Sequence, residues 1–184
     1  MKKKDDSLRE TILSIARDLA DQGGMDNLNI RSIAKQAGVA SGTVYNYFSN
    51  KDEILLALTK EYWKQTLLEM DAAITADSFC DGLLQIMLYL KEQIHQSAGK
   101  LMHSLGGVRR EGKESMAYAQ LELDAILTRL LERDPGIRSD LWEGDFTREQ
   151  FVSFVRRNLI GLLKEDEQEA AFLIHLIGRV IYKS

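Results

Sequence analysis

Apolar residues recur at helical spacing along nearly the whole chain. Leu8, Ile12, Ile15, Ala16 and Leu19 share one face of a helix predicted over residues 7–22. Ser7 and Glu10 have capping-box spacing at its start, and Gly23-Gly24 stops it. Asn29 is a good N-cap for a short helix over 30–37, with Ile30, Ile33, Ala34 and Ala37 inward. Gly38 then permits the left-handed backbone of a tight turn. A third helix, 41–48, opens with Ser41 as N-cap and points Val44 and Phe48 the same way. A long fourth helix over 50–70 carries Ile54, Leu55, Leu58, Tyr62 and Trp63.

The period continues to the end of the chain. Ser78 caps a fifth helix, 78–96, and a short sixth piece follows Gly99. The seventh, 111–132, ends before Pro135, the one proline. Thr147 and Gln150 form a capping box for the eighth, 147–164, while Asp166 and Glu169 open the ninth, 166–182. No stretch alternates at strand period. The expected fold is all-α with about nine helices.

Composition agrees. With 184 residues, 45% apolar and 28% charged, the chain has ordinary globular make-up and length enough to bury a core without a disulfide or metal. A single cysteine, Cys80, fits a reducing compartment. No apolar run could span a membrane, and the basic start at Lys2-Lys3-Lys4 lacks the apolar core of a signal peptide. A cytoplasmic protein without membrane partners is expected.

Charge sharpens the picture. The net charge is −4. Residues 1–51 hold eight basic against six acidic residues, and 52–184 hold sixteen against twenty-two. Between Asn29 and Lys51 there is no acid, while Arg31, Lys35 and Lys51 are present. That contrast marks a nucleic-acid-facing N-terminal module on an acidic body.

The module has the form of a helix-turn-helix. Ala34 lets the second helix approach, Gly38 makes the turn, and Ile33, Val39, Val44 and Phe48 meet Ile12 and Ala16 of the helix behind. With Val44 pointing inward, Gly42 and Asn46 lie about 160 degrees away, and Thr43 and Tyr45 about 100 degrees away. An amide can pair with adenine and a threonine methyl can pack on thymine, so Asn46 and Thr43 are the candidate base readers. Gly42 leaves room for close approach, and Ser41, Tyr45, Tyr47 and Lys51 are candidates for phosphate contacts.

The run from Ile33 to Lys51, Ile-Ala-Lys-Gln-Ala-Gly-Val-Ala-Ser-Gly-Thr-Val-Tyr-Asn-Tyr-Phe-Ser-Asn-Lys, resembles the N-terminal domain of the TetR family of transcriptional regulators. The likeness reaches back through Arg9, Ile12, Leu13, Ala16, Leu19 and Gly24 and covers about residues 7–58. Ala20 and Met25 stand where aromatics are common and Asn29 replaces a usual threonine, none of them on the reading face. The resemblance implies an all-helical homodimer with a DNA-binding domain at 1–50 and a regulatory and dimerisation domain at 51–184. It also implies a repressor released from palindromic operator DNA by a small molecule, with the last two helices forming a dimer bundle.

Those last two helices carry more apolar surface than one core stripe needs, including Phe151, Phe154, Phe172, Leu176, Ile177 and Val180. Phe79, Leu83 and Met87, with Met102, His103 and Tyr118, are the candidate effector contacts; the same stripe would also serve as plain core. His95 and His103 lack the further ligands of a metal site, so neither metal nor other cofactor is expected. No nucleophile elbow, phosphate-binding glycine loop or zinc-protease motif is present, which argues against an enzyme. A purely structural helical protein would have no need of an acid-free face bearing Gly42 and Asn46.

Overall fold

A computed structural model describes residues 6–23, 28–93, 111–163 and 167–182. They form eight α-helices: α1 (Asp6–Gly23), α2 (Ile30–Gln36), α3 (Ser41–Tyr45), α4 (Lys51–Ala73), α5 (Phe79–Gln93), α6 (Glu111–Arg133), α7 (Arg148–Leu162) and α8 (Glu167–Ile181). Among the described residues one 3-10 turn covers Ser139–Leu141. Among the described residues there is no strand, only an isolated bridge between Ile137 and Tyr182. The all-helical expectation holds. The piece expected after Gly99 and the Asp166 cap lie outside the described residues.

The caps explain where the helices begin. Asn29 Oδ1 accepts from the Ser32 amide at 2.9 Å, as its spacing predicts. Thr147 and Gln150 complete a reciprocal capping box. Ser78 Oγ accepts from the Asp81 amide at 3.1 Å and donates to the Asp81 carboxylate at 2.6 Å. Two expected caps differ. Asp6 is already helical, so Ser7 lies inside the first turn of α1, and an acid at that end suits the helix dipole. Ala40 caps α3 through its backbone alone, which places Ser41 at the first helical position.

The chain divides into two compact units, the first built around residues 1–64, the second around 65–96 and 118–184. The first has its own core of Ile12, Leu13, Ala16, Leu28, Ile33, Ala34, Val44 and Phe48, closed by Ile54, Leu55 and Leu58 of α4. Each aliphatic side chain buried in this way contributes about 1.5–3 kcal/mol of transfer free energy.

The second unit is tied together by a carboxylate that helical periodicity does not reveal. Asp134, just beyond α6, is buried. It accepts from the Phe79 amide at 2.8 Å, the Gly136 amide at 2.8 Å and the Tyr182 hydroxyl at 2.6 Å. Burial by itself would raise its pKa, but these three donors together hold it below the usual carboxylate range. Burial, helped by the bond to Asp134, pushes the Tyr182 hydroxyl up. The knot joins the start of α5, the end of α6 and the end of α8. Helices α5 and α6 also approach closely at Gly82, where a Cβ would lie 3.1 Å from Leu130. Arg156 of α7 binds Asp124 of α6 at 2.7 Å, and Arg129 of α6 binds Asp71 at 2.6 Å.

Candidate nucleic-acid interface

Helices α2 and α3 are joined by a turn that hydrogen-bonds back onto the end of α2. Gly38 has φ +67°. Its amide donates to the Lys35 carbonyl at 3.4 Å, and the Val39 amide donates to the Ala34 carbonyl at 3.0 Å. This pair is a Schellman motif, and the left-handed residue it requires is the glycine. Past Tyr45 the α3 backbone tightens: the Tyr47 and Phe48 amides both donate to the Val44 carbonyl at 3.0 Å. The expected helix over 41–48 therefore ends as regular α-helix at Tyr45 but keeps a helical turn through Phe48.

That turn sets which side chains face outward. Val44 and Phe48 are buried, with Ile33 and Ala34, against Ile12 and Ala16, and Val39 packs on the same core while partly exposed. Gly42 and Asn46 are exposed, and Tyr45 is 53% exposed. Ser41, Thr43 and Tyr47 are half-buried, Tyr47 against the core. Lys51 is half-buried in the first turn of α4, and Arg31 and Lys35 on α2 are exposed. A Cβ at Gly42 would meet nothing within 4 Å. The arrangement offers an amide, hydroxyls and a phenol around a patch of bare backbone, on a segment without acids.

The module is fastened to α4 by contacts that hydrophobic patterning does not disclose. Asn50 Oδ1 accepts from the Glu53 amide at 2.9 Å, and Glu53 Oε2 accepts from the Ser49 amide at 2.6 Å. The Asn50–Glu53 spacing was its visible signal. Arg17 of α1 bonds Glu61 of α4 at 2.6 Å. The Arg9 guanidinium lies 5.3 Å from the centre of the Phe48 ring.

In the second unit, Phe79, Leu83 and Met87 of α5 are buried on one face, and Tyr118 of α6 is half-buried. Phe79 packs at 5.9 Å on Phe151, within an aromatic cluster that includes Trp142 and Phe146. Met102 and His103 lie outside the described residues, as does His95. The described residues contain no group of three or more metal-ligating side chains, and no helix among them is long and apolar enough to cross a membrane.

The apolar surplus of α7 and α8 divides in two. Phe151, Val155, Ile177 and Ile181 are buried within the chain. Phe154 on α7 and Phe172, Leu176 and Val180 on α8 are exposed, the last three spaced one turn apart on one face. Ile177 thus belongs to the core of its own unit, because its face of α8 packs inward.

Residues 12–58 match the family model of bacterial regulatory proteins, tetR family. The chain is similar to the fatty acid metabolism regulator protein of Bacillus subtilis (strain 168): 28% identical over 156 residues, covering 84% of this chain and 78% of that protein. Its fold is similar to that of a TetR-family transcriptional regulator from Pectobacterium atrosepticum, with TM-score 0.62, 17% identity and coverage of 98% and 99% of the two chains. It is also similar to the transcriptional regulator FadR from Bacillus subtilis, solved in complex with stearoyl-CoA, with TM-score 0.52, 21% identity and coverage of 94% and 95%.

Proposed function

We propose that the chain, whose residues 12–58 match the family model of bacterial regulatory proteins, tetR family, is a DNA-binding transcriptional regulator of that family, a dimeric repressor released from a palindromic operator by an acyl-CoA. Regulators of this family bind operator DNA and small-molecule effectors and act as dimers. In this reading residues 1–50 read DNA in the cytoplasm and 51–184 carry the effector site and the dimer contact. Asn46 and Thr43 read base edges in the major groove, and Ser41, Tyr45, Tyr47 and Lys51 hold the phosphate backbone.

The observation that carries the DNA reading is Gly42. No neighbour among the described residues forbids a side chain there, so the bare backbone serves an outside surface, and the flanking groups are those that pair with bases and phosphates. Two such modules in a dimer would meet two half-sites one helical turn apart.

The effector reading rests on the Bacillus subtilis relative, a regulator of fatty acid metabolism whose likeness extends well beyond the DNA-binding module. Stearoyl-CoA in the complex of a protein of similar fold gives the class a concrete member. Phe79, Leu83 and Met87, with Tyr118, Met102 and His103, are the proposed effector contacts. Dimerisation is proposed through the helices at 147–164 and 166–182, because Phe154, Phe172, Leu176 and Val180 stand exposed there.

Selection of bound sequences from a random DNA pool tests the reading. An inverted repeat is expected. If the dimer neutralises about 6–10 phosphates, affinity should fall roughly 10³–10⁵-fold between 50 and 200 mM salt. Selection without an inverted repeat, or binding indifferent to salt, would sink the proposal.

A further inference from the structure

Four arginines of the described residues are committed to carboxylates of the same chain. Arg17 bonds Glu61, Arg129 bonds Asp71, Arg138 bonds Asp140 and Arg156 bonds Asp124. Arg9 of α1 behaves differently. It is exposed, with Asp6 three residues before it and Glu10 beside it, yet it pairs with neither and has no carboxylate partner among the described residues. Its guanidinium lies instead over the Phe48 ring, 5.3 Å from the centre.

That partner leaves the charge available. A carboxylate takes up both the charge of a guanidinium and its N–H donors. An aromatic ring attracts the cation electrostatically and leaves the planar fork of donors for another acceptor. The ring itself is fixed, because Phe48 is buried in the core of the first unit.

Phe48 also sets where the charge stands. It follows Tyr47 directly and precedes Lys51 by three residues, so Arg9 joins the two proposed phosphate contacts at that end of α3. The Glu53 carboxylate nearby in the chain is taken up by the Ser49 amide at 2.6 Å. On α2, Arg31 and Lys35 are exposed one turn apart and likewise have no carboxylate partner among the described residues.

We propose that Arg9 is a further phosphate contact of the operator, outside the helix-turn-helix and outside the residues 12–58 that match the family model, with the Phe48 ring positioning it; this deepens the DNA reading and rests on it. The guanidinium fork fits two phosphate oxygens at once. A phosphate contact carries no base preference. Arg9 therefore adds affinity and fixes the orientation of the module without changing the sequence that Asn46 and Thr43 select.

The full-length protein and its Arg9→Gln, Arg9→Lys and Arg17→Gln variants test this, titrated at several salt concentrations with the duplex recovered by selection and with a random-sequence duplex. Each phosphate contact contributes about 0.9 to the slope of log affinity against log salt. Arg9→Gln should flatten that slope by about 0.9 per protomer and weaken binding of both duplexes at least about tenfold at low salt. Arg9→Lys should restore most of the slope but only part of the affinity, since it keeps the charge without the fork. Arg17→Gln should keep the wild-type slope, because Glu61 already holds that charge. Arg9 is exposed, so Arg9→Gln should melt close to the wild type. Affinity lost at an unchanged salt slope means a merely structural role and overturns the proposal, as does unchanged affinity. An equal flattening by Arg17→Gln means that net charge acts rather than a contact, and overturns it too. Wild type that binds neither duplex in a salt-dependent way overturns the DNA reading, and this inference falls with it.

Discussion

The two units of the chain finish their surfaces differently. Among the large apolar side chains left exposed in the described residues, Tyr45 alone belongs to the first unit, and it carries a hydroxyl on α3. The second unit exposes Leu68, Leu84, Leu88, Leu121, Phe146, Phe154, Phe172, Leu176 and Val180. A helix-turn-helix works by presenting polar groups from a core that is closed within one chain. A regulatory body that dimerises leaves apolar faces for another molecule to cover. The difference teaches where each function should fail: the first unit through single polar contacts, the second through apolar faces.

The largest effect should come from charging an exposed face of the second unit. Phe172 is 65% exposed, and Phe172→Glu should weaken the dimer by about 3–5 kcal/mol if the side chain is covered by a partner. Sedimentation equilibrium would read this as monomer at concentrations where wild type is dimeric, with little change in secondary structure. The contrasting variant Ile177→Ala should cost about 2–5 kcal/mol of folding stability, since Ile177 is buried in its own unit. A dimer indifferent to Phe172→Glu would give that face to a different partner and remove half of the contrast.

In the first unit the corresponding change is smaller and purely functional. Asn46→Ala should cost about 1–3 kcal/mol of operator binding and relax preference at one position in each half-site. The melting temperature should stay put, because Asn46 is exposed and its side chain supports nothing inside. A uniform loss across all DNA sequences would make Asn46 a phosphate contact.

The smallest effect concerns acid. Asp134 has a lowered pKa in the folded state. Its contribution is therefore complete above the unfolded carboxylate pKa and disappears as pH falls through the folded value. Asp134→Asn should cost about 1 kcal/mol at neutral pH, by replacing an acceptor-only group with one that also donates. The gap between variant and wild type should close on acidification. Denaturation curves at neutral and acidic pH check this, and a gap that widens in acid would mean the carboxyl is bound as the neutral acid.

How much of this was legible depended on the range of the interactions. The Asn29 cap, the Thr147–Gln150 capping box and the end of α6 before Pro135 are set by residues a few positions apart. Gly38 is the same kind of case: a left-handed turn after Ala37 needs a residue without Cβ, whatever lies elsewhere. The outward position of Gly42 and Asn46 followed from one helix wheel. Ser41 was misplaced by one position as a cap, since a backbone cap leaves no residue-type signature.

Long-range partners were not legible. Asp134 reaches Phe79 across 55 positions and Tyr182 across 48, and an aspartate before Pro-Gly reads locally as an ordinary turn residue. Phe172 and Ile177 look alike in the apolar pattern of α8, yet one is exposed and the other buried. Tyr62 looks like any aromatic on a helix, and only its surroundings reveal a hydroxyl without a partner. The helices, the turn and the outward face of α3 could be read from local sequence, because backbone sterics and capping act within a turn or two of chain. Tertiary structure alone decided which apolar faces are covered and which polar atoms are satisfied: periodicity tells which residues share a face, and packing decides what that face meets.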